Sequence, residues 1–277
     1  MTWLKLTIQV TEDYHEALVS ELVELGFDGF EQFDSRLEAF IVKTGFSDVD
    51  REYIEQILAA YPGDNYIETE EIHEKNWNED WEKSIKPQSI GKFFIRPTWL
   101  SVSPPEGEIL LEIDPKMSFG TGYHATTKLM LEMLPELSPS GREVLDAGTG
   151  SGILAIAAVK LGADSAFGFD TDEWSEINAR ENALINVVDD RVTIRRGGIE
   201  TVPDKRYDLI LANINRNAIS DLLPLFVKHL KKKGTLAVSG LLQSDKAAIR
   251  NEATSAELVF TGERGMDEWI LLCFEKP

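Results

Sequence analysis

VLDAGTGSGILAIAA, Val144–Ala158, decides the fold. An apolar run ending in a carboxylate reads as a strand. Gly148, Gly150 and Gly152 then form a turn, and an alanine-rich helix follows. Glycine suits such a turn because the backbone must reverse sharply and admit a ligand where a Cβ would intrude. The next strand, SAFGFD, closes on Asp170, whose carboxylate can accept both hydroxyls of an adenosine ribose. A nucleoside-containing cofactor is the expectation. The glycines alone do not say which, since Gly150-x-Gly152-x-x-Ala155 with Asp170 beyond it also fits the dinucleotide fingerprint of a nicotinamide-dependent reductase. Asp146 tips the balance. A carboxylate just before the loop repels a pyrophosphate but attracts the ammonium and sulfonium of S-adenosylmethionine, by roughly 3 kcal/mol at about 5 Å and an effective dielectric near 20.

Outward from this stretch the pattern alternates. TDEWSEINARENALINV and LLPLFVKHLKKKG read as helices, and VTIRRG, DLILANI and GTLAVSGLL as strands. Repeated βαβ units predict a doubly wound α/β domain with a Rossmann-like parallel sheet over residues 106–277. VFTGERGMDEWILLCFEK predicts a terminal hairpin at its edge, a usual mark of methyltransferase sheets. Toward the N-terminus, residues 1–73 give the order βαββαβ, expected for a small ferredoxin-like α+β domain. Residues 74–105 read as a linker, with a helix carrying Trp77 and Trp81 on one surface.

Charge and composition narrow the function. With 28 basic and 48 acidic residues the net charge is −20, which disfavours free nucleic acid as a partner. Met1–Lys75 holds five Lys/Arg and eighteen Asp/Glu, a net of −13, an acidic surface suited to a basic macromolecule. The start lacks a signal-peptide pattern, and no apolar run approaches a membrane span. Cys273 is the single cysteine and the four histidines are scattered, so no metal centre is expected and a cytoplasmic location is. A monomer is the default.

Two further stretches carry the site. DLILANINRN ends a strand at Asn213, where amino-methyltransferases place Asn or Asp to hold a target amine, although Ile214-Asn215-Arg216 departs from their Pro-Pro-aromatic continuation. A turn-capping role for Asn213 is the plainer alternative. LEIDPKMSFGTGYHATT, Leu111–Thr127, holds a second Gly-Thr-Gly. In that order, together with KNWNEDW, DAGTGSGILAIAAVKLGA, GFDTD and ANIN, these elements make the chain resemble the ribosomal protein L-eleven methyltransferases, the PrmA family.

The resemblance covers nearly the whole chain. It implies that Phe119, Gly120 and Thr121 lie against S-adenosylmethionine, that Thr127 contributes a hydroxyl, and that Gly148, Asp170 and Asn213 complete the contacts, with Gly150 in the turn beneath. It also implies methylation of lysine and N-terminal amino groups of a basic large-subunit ribosomal protein, recognised by the first domain. Ala125 stands where the family has proline, which predicts a looser turn. His124 is expected to shape the loop and not to act as a base; Asp114 is expected to cap the following turn. A small-molecule amine methyltransferase and an acidic ribosome-binding module without activity are the competing expectations.

Overall fold

The computed structural model describes residues 2–62, 65–73, 85–116 and 118–277. The chain divides into two compact units, Met1–Asp80 and Trp81–Pro277. The helix expected to carry Trp77 and Trp81 lies outside the described residues.

In the first unit β1 (Thr2–Gln9), α1 (His15–Glu24), β2 (Gly29–Phe33), β3 (Arg36–Val42), α2 (Asp48–Ala59) and β4 (Tyr66–His73) follow the predicted order. The sheet runs β2-β3-β1-β4 with every neighbouring pair antiparallel, the ferredoxin-like arrangement. Alternation explains the face each residue takes: Leu4, Leu6 and Ile8 of β1 and Leu37, Ala39 and Ile41 of β3 are buried with Leu18 and Leu22 of α1 and Ile54 and Leu58 of α2. Ser47 starts α2 with a capping box, its hydroxyl accepting from Asp50 N while the Asp50 carboxylate accepts from Ser47 N.

The second unit opens with strands that the sequence reading left inside the linker and the segment after it: β5 (Gln88–Ile90), β6 (Phe93–Arg96) and β7 (Ile109–Glu112), a three-stranded sheet. Runs of three or four residues are too short for a period to register. Tertiary burial defines them instead, with Phe93, Ile95 and Leu111 in the core.

Beyond them come α3 (Ala125–Met133), β8 (Glu143–Ala147), α4 (Ile153–Lys160), β9 (Ser165–Asp170), α5 (Glu173–Ile185), β10 (Val192–Arg196), β11 (Tyr207–Asn213), α6 (Arg216–His229), β12 (Leu230–Leu242), α7 (Lys246–Ser255), β13 (Val259–Met266) and β14 (Trp269–Glu275). The sheet order is β10-β9-β8-β11-β12-β14-β13. The first five strands run parallel, and β14 is antiparallel to both neighbours, as the predicted hairpin requires. One boundary differs: Leu230–Gly234, read as the end of a helix, begins β12. Leu230 is buried and pairs with Tyr207, while Lys276 donates to the carbonyls of Val227 and Leu230 at the end of α6.

Because β9 and β11 leave β8 on opposite sides, their C-terminal ends flank a topological switch point, the usual ligand position in such sheets. Successive residues also alternate between two cores. Val144, Ala166, Leu209 and Leu211 pack with α3, α4 and α5, whereas Leu145, Phe167, Ile210 and Ala212 pack with α6 and α7. Carried on by period two, Asp146, Asp170 and Asn213 all fall on the α4 face. Ala147 pairs with both Phe169 and Ala212, so Asp170 and Asn213 stand one residue further, level with Gly148.

Candidate active site

The glycine turn is held from below. Asp146 is fully buried; its Oδ2 accepts from the Thr149 hydroxyl at 2.7 Å and from Ala155 N at 3.2 Å, in the first turn of α4. Gly152, the N-cap of α4, has no side chain to satisfy those amides, so Asp146 supplies the anion that the helix N-terminus favours. Burial nevertheless pushes its carboxyl up from 3.8 to about 6, against the lowering effect of those two hydrogen bonds. Its Oδ1 has no partner.

Asp170 braces the turn from the side, Oδ2 accepting from Gly150 N at 2.9 Å and Oδ1 from Asp172 N at 3.1 Å. A carboxylate holds about four lone-pair positions, so it keeps capacity for further donors. Across the turn, Asn213 Nδ2 donates to the Thr127 hydroxyl oxygen at 3.3 Å, while Asn213 Oδ1 is buried without a partner. The capping alternative for Asn213 is taken by Asn215, whose side chain accepts from Ala218 N at the start of α6.

The two Gly-Thr-Gly stretches touch. Phe119 O accepts from Ser151 N at 2.8 Å, and Gly120 O accepts from the Ser151 hydroxyl at 2.6 Å. This contact adds a second reason for the glycines to the sharp turn expected of them. At Gly150, φ is +54° and a Cβ would stand 2.4 Å from Phe119 O; at Gly148, φ is +68° and a Cβ would stand 2.2 Å from Ile214 Cγ2. Protein atoms of the two flanking segments require the missing side chains. Gly150→Ala therefore meets backbone on one side and a left-handed conformation on the other, and is expected to destabilise the chain by about 2–4 kcal/mol in urea unfolding.

Ile214 is the residue the sequence reading passed over. It packs onto Gly148, and its carbonyl lies where a Cβ on Gly240 would be 2.2 Å away, so the segment following Asn213 is wedged in place without the Pro-Pro-aromatic continuation. Phe119 is 53% exposed, its ring edge-on to His124 at 5.3 Å, which in turn meets Trp269 at 4.7 Å. Thr121, next to Gly120, lines a narrow recess with Gln88, Ile95 and Tyr123.

His124 shapes the loop, as expected: it is the N-cap of α3, its Nδ1 accepting from Thr126 N and lying 2.8 Å from the Thr126 hydroxyl. The Asp114 oxygens accept from the backbone N–H and hydroxyl of Thr98, in the preceding loop. Ala125 is the first residue of α3, and His124 before it is extended at φ −70° and ψ 140°. Both conformations suit proline, which loses no hydrogen bond at that position. Ala125→Pro is expected to raise stability by about 0.4–1 kcal/mol through the unfolded state, measured by urea unfolding, with no loss of cofactor affinity.

Comparison with known proteins agrees along the full length. The family profile described as "Ribosomal protein L11 methyltransferase (PrmA)" matches residues 2–277. The chain belongs to this family. A relative of that name from Caldanaerobacter subterraneus subsp. tengcongensis is 32% identical, covering 100% of this chain and 99% of its own. One from Porphyromonas gingivalis is 37% identical, covering 95% and 91%. The crystal structure of the ribosomal protein L11 methylase from Lactobacillus delbrueckii subsp. bulgaricus superposes with a TM-score of 0.65 at 29% identity, covering 70% of this chain and all of that one.

Proposed function

We propose that this chain transfers methyl groups from S-adenosylmethionine to amino groups, those of lysine side chains and the N-terminus, of ribosomal protein L11. The observation that carries the reading is the buried, unpartnered Oδ1 of Asn213 beside Thr127, level with Gly148 and with Asp170 across the turn. The residues fit the cofactor. Asp170 retains acceptor capacity for ribose hydroxyls, and Asn213 Oδ1 can accept from an ammonium or an amine. A dinucleotide fits less well. Its pyrophosphate would need the N-terminus of α4, and Asp146 already occupies that end with a carboxylate.

When bound, S-adenosylmethionine supplies a methyl group activated by its sulfonium. The protein's part is to present the nucleophile. A lysine amine, with a free pKa near 10.4, has to arrive neutral, and removal from water near the buried Oδ1 of Asn213 favours that form. Thr127 orients the Asn213 amide through Nδ2, leaving Oδ1 to accept a hydrogen from the incoming amine. Alignment provides most of the remaining rate, and no dedicated strong base is assigned. The acidic first unit, with Glu31, Glu68 and Glu70 exposed, suits a lysine-rich substrate, which supports a recognition role there.

Purified protein, methyl-labelled donor and isolated ribosomal protein L11 test the proposal together. Label in methyl-lysine and the N-terminal residue is expected. Rapid methylation of a small amine with none of the ribosomal protein would instead favour the small-molecule reading. Tight NADH binding without S-adenosylhomocysteine binding would overturn methyl transfer altogether.

A further inference from the structure

Asn178, Asn182 and Asn186 stand at four-residue intervals on one face of α5, the last as its C-cap, and all are buried. Asparagine is a mediocre helix former, and a buried amide is tolerated only when its donors and acceptor are met. Here the amides satisfy the main chain of a passing segment. Asn186 accepts from Glu112 N at 3.1 Å and donates to Glu112 O at 2.7 Å. Asn182 accepts from Asp114 N at 3.0 Å. Asn178 donates to Asp114 O at 3.0 Å and accepts from the Ser118 hydroxyl. A helix face thus takes the place of a neighbouring strand for the residues that lead into the Phe119–Gly122 loop.

The middle asparagine does more. Asn182 Nδ2 donates to Ser151 O at 2.9 Å, so one amide ties the incoming segment to the glycine turn. Ser151 completes the circuit through its own bonds to the carbonyls of Phe119 and Gly120. Asn186 is a control built into the fold. It has the same residue type, helix face and burial, and it bonds main chain twice at Glu112 and once at Asn182 O, but it bonds neither the turn nor the loop.

We propose that Asn182, assisted by Asn178, is a positioning residue for the methyl-donor site: it fixes the spacing between the glycine turn and the Phe119–Gly122 loop and so sets donor affinity from behind. This rests on the methyltransferase reading above. Titration calorimetry of S-adenosylhomocysteine into the full chain, beside urea unfolding, compares wild type with Asn182→Ala and Asn186→Ala. Both substitutions lower the urea midpoint, because each strands buried main-chain groups. Only Asn182→Ala raises the dissociation constant by about tenfold or more, and only it accelerates amide exchange at Ser151 and residues 119–122. Equal affinities in the two variants, or unchanged exchange at the turn, overturn the proposal. If wild type itself binds no S-adenosylhomocysteine, the methyl-donor reading fails, while the exchange comparison still decides whether Asn182 holds the turn and loop together. Should Asn182→Ala not fold, Ser151→Ala removes only the hydroxyl bond to Gly120. It is expected to weaken binding about threefold to tenfold with a near-normal urea midpoint, and wild-type affinity would sink the idea.

Discussion

Replacing Asp170 with alanine is expected to raise the dissociation constant for S-adenosylhomocysteine about hundredfold, close to 3 kcal/mol. The side chain has two tasks at once. Its oxygens accept from Gly150 N and Asp172 N, fixing the turn between β8 and α4 and the start of the segment into α5. In the proposed complex the same carboxylate receives ribose hydroxyls, and a hydrogen bond to a charged group contributes about 1.5–3 kcal/mol net. Asp170→Asn keeps an acceptor but loses the charge, so its affinity should fall between the two. Calorimetry on the three proteins checks this. An alanine variant within tenfold of wild type would remove Asp170 from the ribose contact and leave it as a brace for the turn.

The second large effect concerns Asp146 and pH. Its folded value of about 6 lies above the 3.8 of a free carboxyl because burial outweighs the bonds from Thr149 and Ala155. A carboxyl whose value is raised on folding opposes the folded state once ionised. The penalty is absent below the unfolded value, grows as pH rises from about 4 to 6, and is full above that, at about 3 kcal/mol. Asp146→Asn cannot ionise and lacks this dependence. The stability of wild type relative to Asp146→Asn, from urea unfolding, should therefore fall by about 1 kcal/mol or more between about pH 5 and pH 8. Cofactor affinity should move the opposite way, rising in wild type through about pH 6 as the carboxylate gains the charge that attracts a sulfonium and an ammonium, and staying flatter in the variant. A pH-independent stability difference would mean that Asp146 is ionised throughout.

These two carboxylates show how much of the site the sequence made legible. Asp170 and Asn213 could be placed at the ligand edge because each ends an apolar run that reads as a strand of a doubly wound sheet; the face each takes came from the two cores. Asp146 was legible as a charge but not as a helix cap. Its partner, Ala155, is nine residues on, and only the folding of α4 back over β8 brings that amide within 3.2 Å. The three asparagines of α5 left a weaker trace, a poor helix former repeated every fourth residue on one face. What they hold, Glu112, Asp114 and Ser118, lies sixty or more positions away in the chain.

The sequence by itself determined the doubly wound sheet, the ferredoxin-like order of the first unit, the terminal hairpin and the family, since these follow from periodicity, turn residues and motif order. Tertiary structure alone decided three things. It made the strands of residues 88–112, too short to show a period, into a sheet through burial of Phe93, Ile95 and Leu111. It set Thr121 in a recess with Gln88, Ile95 and Tyr123. And it joined the two Gly-Thr-Gly stretches through Ser151, so that Gly150 is glycine because Phe119 O occupies the space of a Cβ. Local preference fixes what a segment becomes; which backbone comes within 3 Å of another depends on how the whole core closes.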